Sequence, residues 1–264
     1  MNALLAGPWR YRHFIWTSIR NEFLSRIVGS RLGLVWIILH PLSQVLMYAL
    51  VLSAVISARL PGIEGKFGYA AFLTAGILAW SLFSEILTRC LNMYIDNANL
   101  LKKIVFPRMC LPVIVAGSSI LNNLLLFLAI LVVFAAIGHF PGSAIVWLPL
   151  LVILNVALAA GLGLLLGVIN VFVRDVSQAV TGALQFGFWL TPIIYSPAII
   201  PESYRHLLGL NPMYYIVTGY QNALIFNTAP SLRGLLVVGL ISVVLLICAF
   251  ELFRRAGPDM VDML

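Results

Sequence analysis

Six stretches of this chain are long and apolar enough to cross a bilayer: Leu34–Ala58, Tyr69–Leu91, Pro112–Ile137, Ala144–Val173, Ala179–Tyr195 and Gly234–Phe253. A hydrocarbon core takes roughly 20 such residues as a helix. Inside it the backbone must satisfy its own hydrogen bonds, so runs of this length become helices rather than loops or open strands. The chain therefore reads as an all-α polytopic membrane protein, a single transmembrane domain over residues 1–264 with six transmembrane helices. Composition agrees: 62% of the residues are hydrophobic and 9% charged, where soluble domains carry about 25% charged. Mean hydropathy is +1.04. A chain of this size cannot hide that much apolar surface in a water-soluble core. Soluble enzyme, disordered segment, coiled coil and secreted disulfide scaffold are excluded.

An even number of spans puts both termini on one side, and the basic residues say which. With the N-terminus inside, the cytoplasmic segments hold Arg10, Arg12, Arg20, Arg26, Arg31, Lys102, Lys103, Arg108, Arg174, Arg254 and Arg255. The outer loops hold Arg59, Lys66, Arg205 and Arg233. Both termini are expected in the cytoplasm. The net charge of +7 sits at the flanks of apolar spans, which fits anionic lipid head groups rather than nucleic acid. The first long apolar run starts beyond residue 30 and is too long for a signal-peptide core.

Three connecting segments carry more information than loops. In residues 9–31, Trp9, Trp16, Ile19, Phe23 and Ile27 project onto one helix face, with Ser18, Glu22, Ser25 and Gly29 opposite. An interfacial helix lying in the membrane plane is expected. Residues 97–106, ahead of Pro107, predict a short amphipathic helix on the cytoplasmic side. The outer stretch 196–232 carries Pro197, Pro201, Pro212 and Pro230 yet remains apolar. It predicts broken, re-entrant helices, which are tolerated where protein or a water-filled cavity satisfies the freed backbone groups.

Catalytic signals are nearly absent: no HExxH, GxSxG or Walker sequence occurs. His13, His40, His139 and His206 are scattered near predicted membrane edges. Cys90, Cys110 and Cys248 have no metal or CxxC spacing, and no metal site is expected. Glu85 and Arg89 stand four apart in the second span, an intramembrane charge pair that is either a structural ion pair or part of a pathway. Gly163 and Gly167 form a GxxxG for close helix packing. Arg174-Asp175 occupies a very short cytoplasmic turn, as a gate hinge or a topology anchor. Trp80, Phe83, Tyr94, Phe186, Trp189, Tyr195, Tyr214 and Tyr215 gather around the second and fifth spans and the outer stretch. They are either an interfacial belt or a ladder on which the apolar C–H faces of sugar rings could slide.

The order of these features resembles the membrane subunit of ABC-type polysaccharide exporters, the permeases that move O-antigen, capsule and teichoic-acid chains across the inner membrane. The resemblance runs along essentially the whole chain. Its carriers are Arg20–Trp36 with His40-Pro-Leu42, Asn99–Arg108 with Leu111-Pro112, Phe172–Val176, Trp189–Tyr195, Asn211–Tyr215 and the tail Phe253–Leu264. It implies a homodimer around a channel in the bacterial inner membrane, with two copies of a cytoplasmic ATPase subunit. The 97–106 helix would be the coupling helix, with Asn99, Leu100, Lys102, Lys103, Ile104 and Phe106 meeting the ATPase. No cofactor is implied on this chain, since ATP and Mg would bind the partner. The substrate implied is a glycan on undecaprenyl diphosphate. Arg26, Arg31 and Arg174 would meet the diphosphate, a task that suits the guanidinium fork, and Arg174-Asp175 would lie at the gate. The alternatives are an ABC permease for a small hydrophobic drug or heme, and an ion-coupled secondary transporter. An intramembrane enzyme would need better grouped acids than Asp96, Asp175 and Glu202.

Overall fold

The computed structural model describes residues 11–28, 35, 39, 43, 47, 68–98, 110–136, 138 and 140–263. The expected first span at 34–58, apart from four single positions, lies outside the described residues. So do Arg31 and the 99–106 part of the expected coupling helix.

The described residues are helical, with no strand among them. Helix α1 is Arg12–Val28, α2 is Gly68–Asp96 and α3 is Cys110–Ala136. A 3-10 turn, Ser143–Trp147, leads into α4, Leu148–Phe172. Helix α5 is Asp175–Leu190, α6 is Glu202–Leu208, α7 is Pro212–Gln221 and α8 is Leu232–Met263. Among the described residues four helices are long and apolar enough to cross a membrane: Gly68–Asp96, Cys110–Ala135, Ser143–Phe172 and Leu232–Gly257. These match the second, third, fourth and last expected spans. Two prolines stand where they cost least: Pro112 falls in the first turn of α3 and Pro149 at the start of α4, where no intrahelical N–H bond is forfeited.

The fifth expected span, 179–195, is corrected. Its helix begins earlier, at Asp175, and stops at Leu190, with Thr191 extended (φ −93, ψ 136). Thr191 precedes Pro192, whose ring disfavours helical backbone in the residue before it. The last helix, expected at 234–253, instead runs on to Met263. Its extension has a reason: Phe253 stacks on Tyr94 of α2 at 5.8 Å, and Gly257 and Met260 turn the same side inward, buried.

Helix α2 is the centre of the bundle, with buried side chains along its length from Tyr69 to Tyr94. Helix α4 packs along both α2 and α8. One stripe of α4 explains how close it comes: Asn155, Ala159, Gly163, Gly167 and Asn170 are all buried. A Cβ on Gly163 would stand 2.7 Å from the Cys90 Cβ, and one on Gly167 2.6 Å from the Cys90 carbonyl oxygen. Only glycine permits that approach of backbones, the use the GxxxG spacing predicts. At either end an asparagine adds a hydrogen bond, Asn155 Nδ2 to the Ala79 carbonyl at 2.8 Å and Asn170 Nδ2 to the Leu91 carbonyl at 3.2 Å.

Candidate functional site

The intramembrane pair is part of a larger polar cluster. Glu85 and Arg89 share a face of α2, with Arg89 Nη1 3.4 Å from Glu85 Oε1. The guanidinium also donates to the hydroxyls of Ser118 and Ser119, both at 2.7 Å, and to the Val115 carbonyl at 3.3 Å. Its other nitrogen donates to Glu22 of α1. Glu85 accepts from Asn122 Nδ2 at 2.9 Å and the Ser119 hydroxyl at 3.1 Å, and Glu22 accepts from the Ser118 hydroxyl at 3.3 Å. Three helices meet on one cation.

This arrangement corrects the projection of α1. The sequence pattern turns Glu22 away from the apolar face toward water, yet it points into the protein. Ile15 and Ile19, at i and i+4, are buried against Cys110 and Ile114 of α3, and Glu22 continues that stripe. A Cβ on Gly117 would meet the Ile19 Cδ1 at 2.5 Å, so a glycine again sets the depth of contact. Trp16 is exposed, whereas Ile19, expected on the same face, is buried. Arg26 falls on the last turns of α1.

A second polar cluster lies at the Asp96 end of α2. Asn92 Oδ1 accepts from Asn170 Nδ2 of α4 at 3.3 Å and from the Ser177 hydroxyl of α5 at 3.2 Å. Asn170 Oδ1 accepts from the Ser177 backbone N–H at 3.2 Å. Beside it lies the α4–α5 turn. Arg174 is the first flanking residue of α5 and makes no side-chain cap. Asp175 sits in the first turn, where the helix dipole favours a carboxylate. Both are exposed.

The opposite end of α5 shows how a broken helix keeps its backbone satisfied. After the break, Thr191, Pro192, Ile193 and Ile194 are all buried. The Pro192 carbonyl accepts from Gln221 Nε2 at 3.0 Å, the Ile194 carbonyl from the Tyr69 hydroxyl at 2.9 Å, and the Thr191 hydroxyl from Asn211 Nδ2 at 2.9 Å. Ile193 fits against Gly76, where a Cβ would lie 3.1 Å from its methyl. The outer stretch does hold short broken helices: α6, then α7 capped by the Asn211 side chain, then a π turn at Asn222–Phe226. That turn ends on Asn227 in the left-handed region at φ 49. Asn227 Oδ1 accepts from the Ala144 N–H at 2.9 Å, fastening the stretch to the start of α4.

The aromatic residues do not form one surface. Phe83 and Tyr94 are buried inside the chain, Tyr94 under Phe253. They leave any ladder exposed to a channel. Trp80 is half-buried between Phe83 and Phe188, with ring centroids 5.6 and 5.8 Å away. Tyr195, Tyr214 and Tyr215 are half-buried; Tyr215 donates to the Gly209 carbonyl at 3.2 Å, and Tyr195 to the Leu190 carbonyl at 3.2 Å. Phe186 and Trp189 of α5 are the outward ones, 74% and 59% exposed. Asn99, Leu100, Lys102, Lys103, Ile104 and Phe106 lie outside the described residues. Among the described residues no group of three or more His, Cys, Asp or Glu is placed to hold a metal ion.

Sequence reading missed Glu22, Ser118, Ser119, Asn122, Asn170 and Gln221. Their signal was available: polar side chains inside apolar helices need partners, since an unpaired polar group costs most in hydrocarbon.

Residues 13–225 match the ABC-2 type transporter family. The chain belongs to that family. It is similar to the O-antigen export system permease protein of Myxococcus xanthus, 31% identical over 264 residues and 99% of both chains. A Klebsiella pneumoniae protein of the same description is 27% identical over 243 residues, 90% of both chains. A polysialic acid transport protein of Escherichia coli is 24% identical over 202 residues, 75% of both chains. This ABC-2 type chain is thus a multi-pass membrane subunit of a transporter rather than an enzyme, and it works with a partner ATPase.

Proposed function

We propose that this chain is the channel-forming permease of an ATP-driven exporter that carries polysaccharide of the O-antigen type across the bacterial inner membrane. The observation that carries the reading is its end-to-end likeness to an O-antigen export permease, 31% over 99% of both chains. Six spans with both termini in the cytoplasm complete the topology, the first span falling at 34–58. Two copies pair around the channel, each with an ATPase subunit that binds ATP and Mg. The glycan travels on undecaprenyl diphosphate, met at the cytoplasmic interface by Arg26, Arg31 and Arg174. Helix α5 supports the pairing. It buries only Val180 within this chain and turns Phe186, Trp189 and Leu190 outward. An exposed aromatic face suits a channel wall, because stacking on sugar C–H faces holds a chain loosely enough to slide.

The energetic requirement is differential affinity: nucleotide must favour one conformation of the assembly over another. Residues 97–106 follow α2 directly, so a push there from the ATPase bears on the central helix of the bundle. Two experiments test the reading. Tagged protein purified in mild detergent from its own cells should bring down a stoichiometric Walker-motif ATPase, and deleting the chain should abolish long-chain surface glycan. Isolation of a lone chain, or intact surface glycan in the deletion strain, overturns it. Within that system Lys102→Glu plus Lys103→Glu should abolish export while membrane insertion is retained; normal export refutes the coupling role.

A further inference from the structure

We propose that Asn92, Asn170 and Ser177 form the mechanical joint through which displacement of the Asp96 end of α2 reaches α5. The inference rests on the exporter reading and adds to it three positioning residues.

Helix α5 is held lightly along its sides: Val180 is its one buried residue, while Val176, Leu184 and Phe188 pack partly buried against the core. Its far end is fastened through Thr191–Ile194 to α2 and α7, with Trp80 against Gly187 nearby. Its near end is fastened by the joint. The residue that should cap α5, Arg174, provides no side-chain cap. Asn170, on the preceding helix, acts in its place by accepting from the Ser177 N–H, which it shares with the Arg174 carbonyl at 3.3 Å. The same amide donates to the Leu91 carbonyl and to Asn92 Oδ1. Asn92 in turn donates to the Thr88 carbonyl at 3.1 Å and accepts from the Ser177 hydroxyl. Asn92 and Asn170 each serve three partners and the Ser177 hydroxyl one, and together they link α2, α4 and α5.

Upstream of the joint the mechanics are stiff. Helices α2 and α4 touch backbone to backbone at Gly163 and Gly167 and are pinned by Asn155 at the other end. Packed pairs of this kind move as one body. Asn92 lies four residues before the end of α2, next to the segment that reaches the ATPase. A tilt of the α2–α4 pair therefore drags Ser177, and with it the Arg174-Asp175 turn, while the far end stays anchored.

The test uses the complex of this chain with its ATPase in nanodiscs. Cys248, the exposed cysteine, is replaced by Ser, and exposed Gln178, one residue past the joint, is replaced by Cys. Labelling of that thiol by a charged maleimide is followed with and without Mg and a non-hydrolysable ATP analogue. With the joint intact, the analogue should change the labelling rate about threefold or more. Asn170→Ala and Ser177→Ala should erase that response while the ATPase still co-purifies and still hydrolyses ATP. Ser177→Thr, which keeps the hydroxyl, should restore it. A nucleotide response that survives in both alanine variants overturns the joint, and so does loss of the ATPase from both, which marks a merely structural role. If the intact joint shows no response because no ATPase is held, the exporter reading fails first and the joint falls with it.

Discussion

Replacing Arg89 by Met tests the three-helix cluster most directly, because Met keeps the stem and removes the donor fork. Arg89 is 17% exposed, Glu22 30% and Glu85 27%, so the charges are largely withdrawn from water. Removing one member of a buried pair costs about 3–5 kcal/mol, chiefly by leaving its partner's charge in place. The remaining exposure of the two carboxylates reduces this to about 2–3 kcal/mol. At about 2–4 °C per kcal/mol for a chain of this size, the variant should unfold some 4–12 °C lower in detergent. Loss of the Glu22 contact should also loosen α1 from α3, opening residues near Leu24 to protease. Glu22→Gln keeps a neutral acceptor and should cost about 1 kcal/mol. The triple variant Glu22→Gln, Glu85→Gln, Arg89→Met removes the whole ion set and should recover most of the loss, since apolar or neutral replacement of a complete buried ion set is often near neutral. Fluorescence-monitored thermal unfolding reads all three. Wild-type melting of Arg89→Met with α1 still protected, or a triple variant no better than the single one, refutes the reasoning.

Three further outcomes follow from the packing. Gly167→Ala sets a Cβ 2.6 Å from a backbone oxygen of α2 and should destabilise by about 1–3 kcal/mol; Gly239→Ala, whose Cβ meets only an ordinary contact at 3.6 Å, is the neutral comparison in the same melts. Gln221→Leu removes the side-chain donor to the Pro192 carbonyl and should cost about 1–3 kcal/mol, seen as a lower unfolding temperature with the outer stretch cut first by protease. Phe186→Ala with Trp189→Ala removes outward side chains and should leave the fold of the single chain within about 0.5 kcal/mol of wild type, while export of surface glycan falls; unchanged export removes α5 from the channel wall.

The element types were legible because each depends on a local property. Length and apolar content mark the spans, although the expected fifth span runs through Pro192 while the helix stops at Leu190. The GxxxG pair reads correctly as a packing device because the need for small residues between close backbones is built into the residue type. The pairing of Glu85 with Arg89 is legible for the same reason, since four residues is one turn of helix. What Arg89 does beyond that was not legible. Glu22 stands far from it in the chain, and only the docking of α1 against Gly117 and the α3 serines brings the carboxylate to the guanidinium.

By itself, then, the sequence determined that this chain lies in a membrane as helices, because a polar backbone in hydrocarbon has few ways to satisfy its hydrogen bonds. Tertiary structure decided which polar side chain meets which. Asn170 could cap any nearby helix start, and the close approach of α4 to α2 across Gly163 and Gly167 puts it at Ser177 and Asn92. Hydrophobicity accumulates along a segment and can be read there, whereas a hydrogen bond needs two atoms about 3 Å apart, a distance set by the packing of helices far apart in the chain.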